Sequence, residues 1–216
     1  MAFAKLVPDH LKYAINNRLR KNKIPYCYLQ EGDSVIQVGA PRDILLGGRS
    51  RAIHFSMMVG DVGKILIIEP DPESFNALNE FIQKNKISNA TTVNTAVWGE
   101  NTTLEFISNP NHPASNIVKS VDPHRASPAS MSITMSARTL DDICEEHSFS
   151  SPKMVSVTTN GSEEQALKGM SGLLDGGIKY VALAPPSDHL PDLMANYGYE
   201  TDALDDRGMT FKKSDV

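Results

Sequence analysis

Cysteine and long apolar runs are scarce in this 216-residue chain, and each scarcity excludes a class of protein. The two cysteines, Cys27 and Cys144, lie far apart and form no CxxC or Cys/His cluster, which excludes a disulfide framework and a zinc site. The longest aliphatic run, residues 65–68, is far shorter than the roughly 20 apolar residues of a membrane-spanning helix. The first residues also lack the apolar stretch of a secretory signal, so we expect a cytoplasmic protein.

Charge is unevenly distributed along the chain. Residues 1–30 carry six basic side chains and one acidic side chain, a net charge of +5, whereas the whole chain has −5 and the remainder therefore −10. Such a basic segment attracts phosphates, so binding to nucleic acid or an anionic membrane is one interpretation. We favour a second interpretation, a helix whose face of Leu11, Ile15 and Leu19 packs on the protein while its basic face is solvated. The chain is accordingly divided into a basic helical arm, 1–30, and a larger domain, 31–216.

Strand-like and helix-like segments alternate beyond residue 30, which is typical of an α/β fold with a mostly parallel sheet. Strands are predicted at 34–38, 64–68, 91–95, 103–107, 131–137, 153–158 and 178–184, and helices at 44–59, 139–146, 162–174 and 188–197. A further helix is predicted to begin with Asp71 as N-cap and Pro72 at its first position, and its apolar face is Phe75, Leu78, Phe81 and Ile82. Two antiparallel strands about Asp206-Arg207-Gly208 are predicted to end the sheet. Residues 108–130, rich in Pro, Ser, Asn and His, are predicted to form a long mobile loop that borders an acceptor site.

Two neighbouring strands end in residues suited to a nucleoside. The strand 34–38 runs into Gly39, which lets a ligand approach the backbone, and the strand 64–68 runs into Glu69, whose carboxylate can accept hydrogen bonds from a ribose diol. Both ends meet at one crevice, because they belong to adjacent parallel strands. The stretch after Gly39 lacks the further glycines of the dinucleotide fingerprint, and the chain has no P-loop, so NAD is disfavoured and ATP hydrolysis has no support.

An ordered set of motifs from residue 33 onward resembles the FkbM-type methyltransferases. The matching segments are 35–40, 69–72 with Asn76 and Leu78, 94–97, 139–142, and 160–163 with 167–169. The resemblance implies a class I Rossmann-like fold with helices on both faces of the sheet. It also implies S-adenosylmethionine (SAM) as the methyl donor and a hydroxyl of a sugar, glycolipid or small metabolite as the acceptor.

The same resemblance implies which residues contact the donor. Gly39 is expected to contact it through the backbone, Glu69 through the ribose hydroxyls, and 95–97 near the adenine. The whole cofactor-binding set is Gln37, Gly39, Asp43, Glu69, Pro70, Thr95, Ala96, Val97 and Thr158. His112 and His124, followed by Arg125 in the long loop, are candidate catalytic bases because the pKa of histidine lies near neutrality. No metal site is predicted.

The chain departs from the family pattern at positions that are acidic in most members. Gln37 stands in place of an acid, and Thr158 and Asn160 stand in place of the two acids of a D-x-E-G pattern. Loss of a carboxylate that pairs with the SAM ammonium group forfeits about 1.5 to 3 kcal/mol, which predicts weak donor binding. Two alternatives therefore stay open: a catalytically silent binding module with the same fold, and an RNA methyltransferase, which only the basic arm favours.

Overall fold

A computed structural model describes residues 8–122, 124 and 130–214. Within these residues the helices are α1 (Asp9–Arg20), α2 (Arg42–Leu46), α3 (Arg51–Val59), α4 (Pro72–Lys84), α5 (Leu140–Glu146), α6 (Glu163–Lys168), α7 (Ser171–Asp175) and α8 (Leu190–Ala195). The strands are β1 (Ser34–Val38), β2 (Lys64–Ile68), β3 (Ala90–Val93), β4 (Ala96–Val97), β5 (Thr102–Ser108), β6 (Ile117–Val118), β7 (Met131–Arg138), β8 (Met154–Thr158), β9 (Tyr180–Ala184), β10 (Tyr199–Leu204) and β11 (Met209–Lys213). No helix within the described ranges combines the length and apolar character needed to cross a membrane.

Seven strands form the main sheet in the order β10-β11-β9-β8-β1-β2-β3. All neighbours run parallel except β11, which is antiparallel to both β9 and β10. The strand β1 lies inside the sheet between β2 and β8 and is parallel to both. The carboxyl ends of these three strands therefore lie side by side. The mostly parallel sheet and its antiparallel C-terminal hairpin are as predicted.

Successive residues of the central strands pack against opposite layers of helices. Val35 and Ile65 belong to a core formed with α1 to α4, whereas their neighbours Ile36 and Leu66 belong to a second core formed with α5 to α8. Both faces of β1, β2, β8 and β9 are buried, which explains why these strands are mostly apolar, with Gln37 and Ser156 as buried polar exceptions. The prediction of helices on both faces of the sheet is confirmed.

The starts of two helices follow directly from side-chain chemistry. The carboxylate of Asp71 accepts a hydrogen bond from the Ser74 amide at 2.9 Å, and Pro72 occupies the first position of α4, where no amide hydrogen is needed. The hydroxyl of Thr139 likewise accepts from the Asp142 amide at 3.2 Å and caps α5. Both starts agree with the sequence analysis.

A second sheet, ordered β4-β7-β5-β6, is inserted between β3 and α5. The strands β5 and β7 pair antiparallel along their full lengths, from Thr102 opposite Ala137 to Ser108 opposite Met131. The strand β4 extends this sheet immediately after β3, and β6 pairs with the end of β5. The predicted loop is therefore structured in its first part, because Ile117 and Val118 are buried in β6.

Two predicted helices are each divided in the structure. The segment 44–59 breaks into α2 and α3 because Gly48 adopts a φ of +71°, which a helix cannot contain. The segment 162–174 breaks into α6 and α7 next to Gly169, where an added Cβ would lie 1.9 Å from the Trp98 carbonyl oxygen. The sequence analysis was wrong at both places, because it predicted one continuous helix from the spacing of apolar residues although a glycine interrupts each segment.

The helix α1 exists as predicted, but the opposite side of it packs on the protein. Leu11, Ile15 and Leu19 are 45%, 53% and 64% exposed, whereas Tyr13 is 1% exposed. The Tyr13 hydroxyl donates to the Leu45 carbonyl at 2.7 Å, and its ring contacts His54 and Phe81. The predicted packing of the aliphatic face is therefore wrong. The division of the chain at residue 30 stays a prediction.

Candidate functional site

Gly39 shapes the point at which β1 and β8 end. Its φ is +89°, and an added Cβ would lie 2.5 Å from the carbonyl oxygen of Thr158. Its amide donates to the Ile68 carbonyl at 2.8 Å, which ties the turn to the end of β2 as well. A side chain at this position would push the three strand ends apart, so the close approach requires glycine.

Glu69 links the turns that follow β1 and β2. One carboxylate oxygen accepts from the Ala40 amide at 2.5 Å, and the other accepts from the Asp71 amide at 2.9 Å. Burial raises the pKa of Glu69 to about 7, although these two hydrogen bonds act in the opposite direction. Each carboxylate oxygen can accept a second hydrogen bond, so the group can hold the two turns and still receive a ligand hydroxyl.

These strand ends form one side of a cleft of about 590 Å³, measured with the part that is open to solvent. The opposite side comes from the second sheet and the chain before β6. The lining residues are Val38, Gly39, Pro41, Glu69, Pro70, Ala96, Val97, Phe106, Pro113, Ala114, Asn116, Ile117, Val118, Thr158, Thr159, Asn160 and Ser162. Glu69 is the one carboxylate among these residues, and most of the remaining lining is apolar.

The side chains of Gln37 and Thr158 form a hydrogen bond with one another beneath the cleft. The amide nitrogen of Gln37 donates to the Thr158 hydroxyl at 2.9 Å and to the Gly39 carbonyl at 2.9 Å. The Thr158 hydroxyl donates in turn to the Val38 carbonyl at 2.9 Å. The Gln37 side-chain oxygen is buried without a hydrogen-bond partner among the described residues. The neutral residues at these two departures from the family pattern therefore form a closed network with the backbone.

Asn160, the third departure, holds the chain before β6 over the cleft. Its side-chain amide donates to the carbonyl oxygens of Ala114 and Asn116 at 3.0 and 2.6 Å. From the other side, the Asp43 carboxylate accepts from the Ala114 amide at 3.2 Å. We call residues 109–118 the covering segment. Asp43 contacts this segment and is not among the residues that line the cleft.

The predicted site residues divide into three groups. Gly39, Glu69, Pro70, Ala96, Val97 and Thr158 line the cleft together, and Gln37 lies directly beneath them. The Thr95 hydroxyl points elsewhere and donates to the Ser136 carbonyl at 2.9 Å. His112 and His124 are exposed and do not line the cleft. Arg125 lies outside the described residues.

The sequence analysis missed a second cleft on the far side of Thr158 to Asn160. Arg20, Arg49 and Arg207 lie along it, together with Ala184 and Pro185 at the end of β9. The three arginines come from α1, the turn before α3 and the terminal hairpin. No local motif joins them, so nothing in the sequence could have identified the group. Within the ranges the structure describes, no group of three or more His, Cys, Asp or Glu residues could hold a metal ion.

Comparison with known proteins adds a family and a fold. The sequence profile of the methyltransferase FkbM domain matches residues 37–201. The crystal structure of the methyltransferase FkbM from Methylobacillus flagellatus is similar with a TM-score of 0.58 and 16% identity, over 89% of this chain and 47% of that one. A precorrin-8w decarboxylase from Methanobacterium thermoautotrophicum is similar with a TM-score of 0.50 and 10% identity, over 94% of this chain and 90% of that one.

At these identities the two structures show the fold alone. This chain spans about half the length of the Methylobacillus protein. No curated protein sequence matches the chain.

Proposed function

The chain belongs to the FkbM methyltransferase family, and from this premise we propose that it transfers a methyl group from SAM to a hydroxyl oxygen of a small-molecule or glycan acceptor. The observation that carries the proposal is the junction of Gly39 and Glu69. A bare strand end and a buried acid meet at the carboxyl ends of adjacent parallel strands, which is where open α/β sheets bind nucleosides.

The residues around this junction fit the adenosine half of SAM. Ala96, Val97 and Pro70 give an apolar wall suited to an adenine ring, and Glu69 offers free acceptor positions for ribose hydroxyls. The unpaired oxygen of Gln37, whose amide nitrogen bonds Gly39 and Thr158 at the strand ends, is a further acceptor if the side chain turns.

The methionine half has weaker partners. Thr158 and Asn160 replace carboxylates of the family pattern, and neither can neutralise an ammonium group. The Gly39 carbonyl, which could accept a hydrogen bond from that group, already receives one from Gln37. We therefore propose a donor site that draws most of its affinity from adenosine.

Bound SAM supplies an electrophilic methyl group, and it leaves as S-adenosylhomocysteine once the acceptor oxygen has taken the methyl and released its proton to solvent. The chain has to hold donor and acceptor in line and exclude water. The covering segment serves the second task, since Pro113, Ala114 and Asn116 close one side of the cleft.

The acceptor class is a proposal from the family pattern, and the base is a proposal from the near-neutral pKa of histidine. His112 is the candidate base whose place in the chain is nearer to the cleft, because it directly precedes Pro113, but its side chain is exposed. The cytoplasm remains the proposed location, because both cysteines are free thiols in the structure.

A silent binding module is the second candidate, and the closed network of Gln37 and Thr158 favours it. A third candidate, RNA methylation, rests on the basic side chains of residues 1–30. Arg20 is already engaged with Tyr26 and Asp206, so the structure adds no support for that alternative.

Calorimetry with three ligands tests the proposal. An active donor site binds S-adenosylhomocysteine and, with a small loss of affinity, 5′-methylthioadenosine, which lacks the amino-acid end. It also supports transfer of labelled methyl from SAM to hydroxylated acceptors. Binding of both compounds without transfer would favour the silent module. If the protein binds neither compound, the assignment of the donor cleft is wrong.

A further inference from the structure

The second cleft adjoins the candidate donor cleft. The two share Pro41, Ala114 and the segment 158–160 as a common wall. A group bound in the second cleft would therefore lie across that wall from the donor. This placement suits an acceptor, and the side chains around the cleft indicate its chemistry.

Asp206 lines the second cleft and Asp205 is the residue before it, and both carboxylates are committed to other partners. Arg51 is completely buried beneath the cleft and forms ion pairs with both Asp205 and Asp206, the latter at 2.6 Å. Asp206 also receives hydrogen bonds from Arg20 and from the Tyr26 hydroxyl. Asp205 additionally receives the Thr210 hydroxyl at 2.8 Å. These carboxylates have little capacity left for further cations.

Arg49 and Arg207 have no such partner. Within the part of the chain that the structure describes, neither guanidinium has a carboxylate within ion-pair distance. The Arg207 side chain donates one hydrogen bond, to the Arg49 carbonyl at 2.5 Å. Burial, followed by the charge of Arg51, lowers the pKa of Arg207 by more than the neighbouring Asp206 raises it.

The local charge balance is therefore positive. Four arginines, at positions 20, 49, 51 and 207, lie around two aspartates, which leaves a net charge of +2 at the second cleft. Arg207 is half-buried without an ion-pair partner, which is unfavourable unless an anion completes the arrangement, whereas Arg49 is exposed and free to reach the same anion. Guanidinium groups pair with phosphate and carboxylate through two parallel hydrogen bonds, which makes either anion a suitable partner.

We propose that Arg49 and Arg207 bind an anionic group, a phosphate or a carboxylate, on the methyl acceptor. This inference rests on the proposed function. It narrows the acceptor from any hydroxylated compound to one that carries a negative charge, such as a phosphorylated or acidic sugar. The anion holds the acceptor in the second cleft, so that a hydroxyl elsewhere on the molecule reaches the shared wall.

Titration with simple sugars at fixed ionic strength tests the proposal. The probes are glucose 1-phosphate, glucuronate and, as the neutral comparison, glucose. At least one charged probe is expected to bind the wild-type protein at least tenfold more tightly than glucose. Both R49Q and R207Q are expected to weaken that binding at least fivefold, and R18Q, which changes an exposed arginine on α1, is the matched control.

Parallel titration with S-adenosylhomocysteine separates the two proposals. Neither R49Q nor R207Q is expected to change its dissociation constant, because neither side chain lines the donor cleft. Arg49 is exposed, so R49Q remains informative even if R207Q fails to fold. If S-adenosylhomocysteine binds but both charged sugars bind no better than glucose, the anion site is refuted and the donor site stands. A wild-type protein that binds a charged sugar but not S-adenosylhomocysteine would refute the proposed function, and with it the role of the anion site in holding an acceptor.

Discussion

Replacing Glu69 by glutamine should change how the stability of the protein depends on pH. Burial raises the pKa of Glu69 to about 7 from its ordinary value of 4.5. Between these two values the folded state binds more protons than the unfolded state, so the free energy of unfolding falls as the pH rises. The stabilisation is complete below pH 4.5 and is lost as the pH passes 7. Between pH 5 and pH 8 the loss amounts to roughly 2 to 3 kcal/mol.

The variant E69Q keeps the shape of the side chain but cannot titrate. The backbone amides of Ala40 and Asp71 both donate hydrogen bonds to the carboxylate. In E69Q one of these amides faces the side-chain nitrogen, which cannot accept, and the lost hydrogen bond costs about 1 to 3 kcal/mol. We therefore expect E69Q to be clearly less stable than the wild type at pH 5 and nearly as stable at pH 8. Urea unfolding at both pH values measures the difference, and E80Q, at an exposed position on α4, is the control.

Every other titrating group is present in both proteins, so its contribution cancels when the free energy of unfolding of E69Q is subtracted from that of the wild type. A destabilisation by E69Q that stays constant from pH 5 to pH 8 would refute the reasoning, because it would show that Glu69 titrates near its ordinary pKa. At pH 8, where both proteins fold, E69Q should also bind S-adenosylhomocysteine at least tenfold more weakly. An unchanged dissociation constant would remove Glu69 from the donor site.

Three further predictions concern the covering segment, the candidate base and metals. The variant N160D places a carboxylate against two carbonyl oxygens, so hydrogen exchange across 109–118 should accelerate at least tenfold, whereas N111D at an exposed position should leave it unchanged. Equal exchange in the two variants would show that Asn160 does not hold the segment. The variant H112A should retain kcat within about twofold, because the side chain is exposed, and a loss above tenfold would restore His112 as the base. Treatment with EDTA should leave methyl transfer intact, since the described residues contain no cluster suited to a metal; activity that returns only on adding magnesium would contradict this expectation.

The main sheet was predictable because its strands carry unambiguous signals. A central strand buried on both faces is mostly apolar, and the two segments 34–38 and 64–68 have the same bounds in the structure as in the prediction. Asp71 and Pro72 marked a helix start through local hydrogen bonding alone. Each of these signals lies within a few neighbouring residues, so no tertiary information was needed.

The packing of α1 was not predictable from aliphatic periodicity. Tyr13, Asn16 and Arg20 also recur at helical spacing, and this polar face is the one that contacts the protein. Tyr13 can be buried because its hydroxyl finds the Leu45 carbonyl, 32 residues away in the sequence. The spacing of leucine and isoleucine residues does not indicate this polar face, because its burial depends on hydrogen-bond partners that only the folded chain brings near.

The candidate site was predictable only at its strand ends. Gly39 and Glu69 follow their strands directly, and so their meeting follows from parallel pairing. The roles of Asn160 and Asp43 depend on Ala114, which lies more than 40 residues from either of them. The second cleft was hidden for the same reason, because Arg49 and Arg207 come together only through the hairpin turn.

The covering segment has a consequence for the speed of ligand association. Asn160 donates two hydrogen bonds to the segment, and Asp43 accepts one from it. At about 0.5 to 1.5 kcal/mol each, these three hydrogen bonds favour the closed arrangement by roughly 2 to 4 kcal/mol. A ligand that enters between the segment and Glu69 must wait for the small open fraction, and its apparent affinity falls in proportion to that fraction. Stopped-flow association should therefore saturate at high ligand concentration, with a plateau equal to the rate at which the segment opens.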